Sequence, residues 1–155
     1  MRNSNEIKQL AYERLSEAQI LCDNGKYDGA FYLAGYSIEL MLKAKICQHL
    51  GIDNLFDKEG CQIPSISDLR KVVETHNINL LLLFSGLEQK FRIAKATNIK
   101  LKDAYLFFTA ITGNKTDWNE QVRYLPIGSK TEQEVREFIN LLHDEEGLLK
   151  WIEQN

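Results

Sequence analysis

Hydrophobic and polar residues along this chain recur with helical spacing, and the two-residue alternation of a strand is absent. From Ser4 to Asp23 the apolar positions Ile7, Leu10, Ala11, Leu15, Ala18, Leu21 and Cys22 fall every three or four residues and predict one amphipathic helix. Asn24–Gly25 ends it, because glycine readily takes the left-handed turn that closes a helix. A second helix follows at once and runs to near Leu50, with Gly51 just beyond. So short a connection folds the two into an antiparallel hairpin. Residues 25–46, GKYDGAFYLAGYSIELMLKAKI, are apolar nearly all the way round. Such a helix is stable only when buried on several sides, so it belongs at the centre of a bundle.

The same helix carries a polar stripe. Tyr32, Tyr36, Glu39 and Lys43 fall within about 60° of one another on a 3.6-residue helix. Buried charge is costly unless paired, so the stripe is either a structural polar layer or the floor of a site. Glutamate four residues before lysine is the favourable order for a helical salt bridge.

Further along, Gly60 and Pro64 punctuate a loop over 52–66, and Ser65 or Ser67 can cap a short helix through Val73. Another helix begins around Asn77 and carries Leu80, Leu81, Leu82, Leu83 and Phe84; Gly86 either breaks it or is tolerated within it. A basic stretch follows (Lys90, Arg92, Lys95, Lys100 and Lys102), then a helix from about Leu101 to Ile111, closed by Gly113–Asn114. Residues 114–130 read as an ordered turn anchored by Trp118, Tyr124 and Leu125. The last helix opens on Thr131–Glu134, a capping-box pattern. Its stripe is Val135, Phe138, Ile139, Leu142, Leu149 and Ile152, with a bend where Asp144–Glu146 meets Gly147.

Composition narrows the function. The 155 residues suit a single domain spanning 1–155, and 44% hydrophobic with 26% charged residues is ordinary for a globular protein. A net charge of −3 argues against unspecific clamping onto duplex nucleic acid. Three cysteines, Cys22, Cys47 and Cys61, lack metal-type spacing and read as reduced thiols of a cytoplasmic protein. Neither a signal segment nor a membrane-spanning run stands out. Walker, dinucleotide-glycine, HExxH, nucleophile-elbow and cysteine-pair zinc patterns are missing, so no cofactor and no metal is expected.

The helical hairpin ending in GKYDGAFYLAGYSIELMLKAKI resembles the HEPN domain, the higher eukaryotes and prokaryotes nucleotide-binding family. The residues that carry the resemblance are Gly25, Tyr27, Ala30, Glu39, Leu40, Leu42 and Lys43. His76 before a leucine-rich helix, and Trp118 with Arg123–Tyr124 before a final helix ending in Trp151–Ile152, look like further landmarks. The resemblance covers about residues 8–152. It implies a compact up-and-down bundle of four to five main helices, often dimeric. Members of such a family bind nucleotide or RNA, partner small nucleotidyltransferases, or act as metal-independent ribonucleases in toxin–antitoxin or antiphage systems.

The ribonuclease branch resembles one pattern, arginine followed after four to six residues by histidine. Arg136 with His143 and Arg70 with His76 both fit. Arg136 and His143 would lie about 20° apart on one helix; histidine could move the 2′-hydroxyl proton while arginine stabilised charge on phosphate. Against this, Glu137 follows Arg136, the last helix is strongly acidic, and both residues fall opposite the apolar stripe. Arg70 and His76 would be about 120° apart on a continuous helix, and His76 also suits loop packing. His49 suits the dipole at the end of the second helix. The alternative site is an anion pocket in which Lys43, Arg123 and His76 converge, Glu39 holds Lys43, and Tyr32 or Tyr36 contacts base or sugar. The basic run is the most electropositive surface, though an ordinary amphipathic helix shows the same interleaving.

The expectation is an all-α domain acting as a non-catalytic module for nucleotide, RNA or a protein partner, and the resemblance implies a bacterial stress or defence setting. The alternatives are a metal-independent endoribonuclease and a structural partner of a nucleotidyltransferase; the expected assembly is a homodimer.

Overall fold

The computed structural model describes residues 3–109 and 117–155. Among them every regular element is helical: α1 (Ser4–Asp23), α2 (Tyr27–Leu50), α3 (Ile66–Val73), α4 (Ile78–Phe84), α5 (Glu88–Lys95), α6 (Ile99–Leu106), a short 3₁₀ helix (Glu120–Tyr124), α7 (Glu132–His143) and α8 (Leu148–Gln154). The all-α expectation holds.

The first two helices follow the sequence reading closely. Asn3 accepts from the Glu6 amide and caps α1, and Gly51, at φ 67°, closes α2. The three-residue connection turns α2 back along α1, their contact being the most extensive between helices. α2 also packs against α4, α7, α8 and the 3₁₀ helix. That central position explains its composition: Phe31, Ile38, Leu40, Leu42 and Ile46 are all fully buried. One continuous hydrophobic cluster takes side chains from all eight α-helices. All three cysteines are buried and free, and burial raises the Cys47 thiol to about 11.

The middle of the chain departs in detail. Gly86 adopts φ 75° and does break the leucine-rich helix; the basic stretch is divided between α5, with Lys90, Arg92 and Lys95, and α6, with Lys100 and Lys102. Asn98 caps α6 by accepting from the Lys100 and Leu101 amides, which starts that helix at Ile99 and not at Leu101. It ends at Leu106 with Phe107 as its C-cap, short of the expected Ile111; the expected close at Gly113–Asn114 lies outside the described residues. Ser65 stands at the N-cap of α3, but its side chain makes no capping bond; its carbonyl receives the Asp68 and Leu69 amides instead. The expected last helix is two, α7 and α8, separated at Asp144–Gly147, where the Gly147 amide donates to the Asp144 carbonyl.

The capping box is half made. Thr131 accepts from the Glu134 amide at 3.3 Å, while the Glu134 carboxylate receives Lys130 Nζ at 2.9 Å. The preceding turn is fixed by Asp28 at the start of α2, which accepts from the amides of Gly128 (2.7 Å) and Lys130 (2.9 Å). Trp118 anchors this region as expected, being 3% exposed. Tyr124 does not: it is 70% exposed.

Candidate functional site

The polar stripe of α2 meets two later segments. Glu39 is 1% exposed, and its Oε1 accepts from Lys43 Nζ at 2.6 Å. His76, in the connection between α3 and α4, places Nδ1 3.1 and 3.0 Å from the two Glu39 oxygens. One buried carboxylate therefore serves two basic side chains. With Lys43 beside it the carboxylate is an acceptor only, so the imidazole donates through Nδ1 and keeps Nε2 free. The His76 side chain is 49% exposed and lines a cleft of about 690 Å³ bounded by residues 71–80 on one side and by Phe108 and residues 117–120 on the other.

Above Glu39 on the same face, the Tyr32 and Tyr36 rings stack with centroids 6.2 Å apart and planes 11° from parallel. Both are half-buried. Burial, then the negative charge of Glu39, raises the Tyr36 phenol above its usual range. Trp118 locks the stripe to the rest of the site. Its Nε1 donates to the Tyr32 carbonyl at 3.0 Å, and its indole lies directly on Gly35, where any Cβ would fall inside the ring. The 3₁₀ helix that follows brings Arg123 to Tyr32. The Arg123 guanidinium sits 4.9 Å from the Tyr124 ring centre. Desolvation acts to lower its pKa, but the Tyr124 and Tyr32 phenols outweigh that, and the net shift is upward. Glu120, one turn earlier, is held below the usual carboxylate range by its own backbone amide and Gln121, with His76 and Arg123 adding to the effect.

Tyr32, Tyr36, Glu39, His76 and Arg123 thus form one chain of neighbours. Lys43 belongs to it through Glu39 alone: it is 9% exposed and turned inward, with Phe56 5.9 Å from its ammonium.

The two arginine–histidine pairs are placed differently. Arg70 is buried and donates to three backbone carbonyls, Leu55 (2.6 Å), Asp57 (2.8 Å) and Cys61 (3.0 Å), which pins the 52–66 loop. Arg136 lies on the surface of α7 between Asp23 (2.8 Å) and Glu132 (2.8 Å); the hydrogen bonds it donates to those two carboxylates raise its pKa further. His143 is exposed at the end of the same helix. The two carboxylates that Arg136 already bridges neutralise its guanidinium and repel an incoming phosphate. Sequence reading missed Asp28, Lys130 and Glu120; the partners of Asp28 lie about a hundred residues away.

Compared with known families, the chain matches the HEPN domain over residues 4–154. The chain belongs to the HEPN family. No curated protein and no solved structure matches it. HEPN membership supports a nucleotide- or RNA-binding or ribonuclease-like module. Among the described residues of this HEPN domain, no helix is long and apolar enough to cross a membrane, and no cluster of histidine, cysteine and carboxylate side chains has the makings of a metal site.

Proposed function

We propose that this HEPN domain is a non-catalytic module for nucleotide or RNA, and that the ligand lies across the ledge of Tyr32, Tyr36, His76 and Arg123. The observation that carries the reading is the buried Glu39 carboxylate, which holds His76 in one orientation with Nε2 free at the rim of the cleft. Arg123 supplies a planar cation suited to phosphate, and the paired tyrosines offer aromatic surface to a base. Lys43 acts through Glu39, neutralising it, and does not touch the ligand. The engagement of Arg136 by two carboxylates favours binding over cleavage at α7.

In this reading one domain spans residues 1–155, supported by the single hydrophobic cluster. It works as a homodimer or beside a nucleotidyltransferase or other operon partner, in a bacterial stress, toxin–antitoxin or antiphage setting, for which family membership is the support. Amide chemical-shift mapping of the labelled protein, titrated separately with a mononucleotide and with single-stranded RNA, tests the site. Shifts centred on residues 32–39, 75–77 and 118–124 are expected. Shifts confined to α7, or none with either probe, would overturn the assignment.

A further inference from the structure

The cleft beside the ledge has a chemistry of its own. Its cations are few and engaged: Lys71 donates to Asp68 at 3.0 Å, and His76 turns its Nδ1 edge to Glu39. Hydrogen-bond acceptors dominate instead. Glu74, paired with Lys58 at 3.1 Å, lines one wall of the cleft, and Asp117 and Glu120 line the other. A phosphate entering here would meet carboxylates, whereas a group that donates hydrogen bonds would meet acceptors on both walls. The unforked cation of the region, Arg123, lies one turn beyond Glu120 on the same 3₁₀ helix. Glu120 lines the cleft and shares its 3₁₀ helix with Arg123, so it stands between the cleft and the ledge.

We infer that the cleft takes the ribose of a bound ribonucleotide unit, with Glu120 accepting from the 2′-hydroxyl while the phosphate stays on Arg123. The inference rests on the ledge being a nucleotide- or RNA-binding surface. A carboxylate accepting from a sugar hydroxyl is a charge-assisted bond, and the 2′-hydroxyl is the group by which a protein separates RNA from DNA. The same ribose could belong to a free nucleotide or to one unit of an RNA chain.

The test uses the full chain and two pairs of probes: AMP against 2′-deoxy-AMP, and ribo- against deoxyribo-oligoadenylate of equal length, measured by calorimetry or fluorescence anisotropy. The expected result is about tenfold tighter binding of the ribo member, as one charge-assisted hydrogen bond allows. Discrimination in both pairs assigns the cleft to a free nucleotide unit; discrimination only between the oligonucleotides assigns it to RNA. In Glu120→Ala the ribo preference should vanish, the two members of each pair then binding alike, while circular dichroism confirms the fold. Equal affinity for ribo and deoxy probes in the parent protein, or a preference that survives Glu120→Ala, would overturn the ribose assignment and leave the ledge standing. Failure of every probe to bind would overturn the ledge reading and with it this inference.

Discussion

Two ion-pair networks in this domain use similar residues to opposite ends. At Glu39 a single carboxylate, shut away from water, holds a lysine and a histidine and leaves one imidazole edge exposed. At Arg136 a single guanidinium on the surface is shared by two carboxylates and by solvent. The first network is fixed because each partner is needed to offset the cost of burying the others. The second is replaceable, because water can serve any member that is lost. Preorganised polar chemistry therefore lies on α2, not on α7, where the arginine–histidine spacing of the sequence had offered an alternative site.

The comparison breaks most visibly at Glu39. Glu39→Ala strands Lys43 in the core, and a loss of about 3–5 kcal/mol is expected, read as a lower urea midpoint. Glu39→Gln keeps an acceptor and should lose less. Gly35→Ala, which leaves every charge in place, forces the Trp118 indole off α2; unfolding curves should show a loss of roughly 1–3 kcal/mol. Arg136→Ala should shift the midpoint least, with even that shift shrinking as salt is added.

Acid sharpens the contrast further. Asp23, Glu120, Glu132, Asp144 and Glu153 are all held below their ordinary values. A depressed carboxylate contributes stability above its unfolded pKa and loses it as pH falls through the folded one. Stability should therefore decline once the pH drops below the ordinary values of 3.8 and 4.5. Asp117, which burial raises, works the other way, giving up stability as pH rises from 3.8 toward its folded value. Thermal melts of the parent and Asp117→Asn across that range should show the variant's melting temperature rising more steeply with pH than the parent's.

What could be read from the sequence was local. The spacing of Glu39 and Lys43 gave their salt bridge, and the spacing of Tyr32 and Tyr36 made them neighbours. Both placements depend only on helical geometry, which set the two tyrosines on one face but did not give the stacking of their rings. His76 could not be paired with Glu39 in advance, since 37 residues separate them and nothing in the intervening helices fixes their approach. Arg70 looked like half of a nuclease pair because its role depends on three carbonyls of a loop whose path no periodicity reveals. The partition of the last helix turned on the Asp144–Gly147 turn, where a stripe that continues in register conceals a break in the backbone. Glu120 carried no signal in isolation; it became informative only when the fold set it between His76 and Arg123.

The most direct test of the central claim is a set of RNA-binding titrations in chelator, comparing His76→Ala and Arg123→Ala with Arg136→Ala and His143→Ala. The account predicts that the first two weaken binding by about tenfold or more with the fold retained, and that the second two bind as the parent does and leave the RNA intact. Unchanged binding in the first pair, or metal-free RNA cleavage by the parent that disappears in His143→Ala, would contradict it.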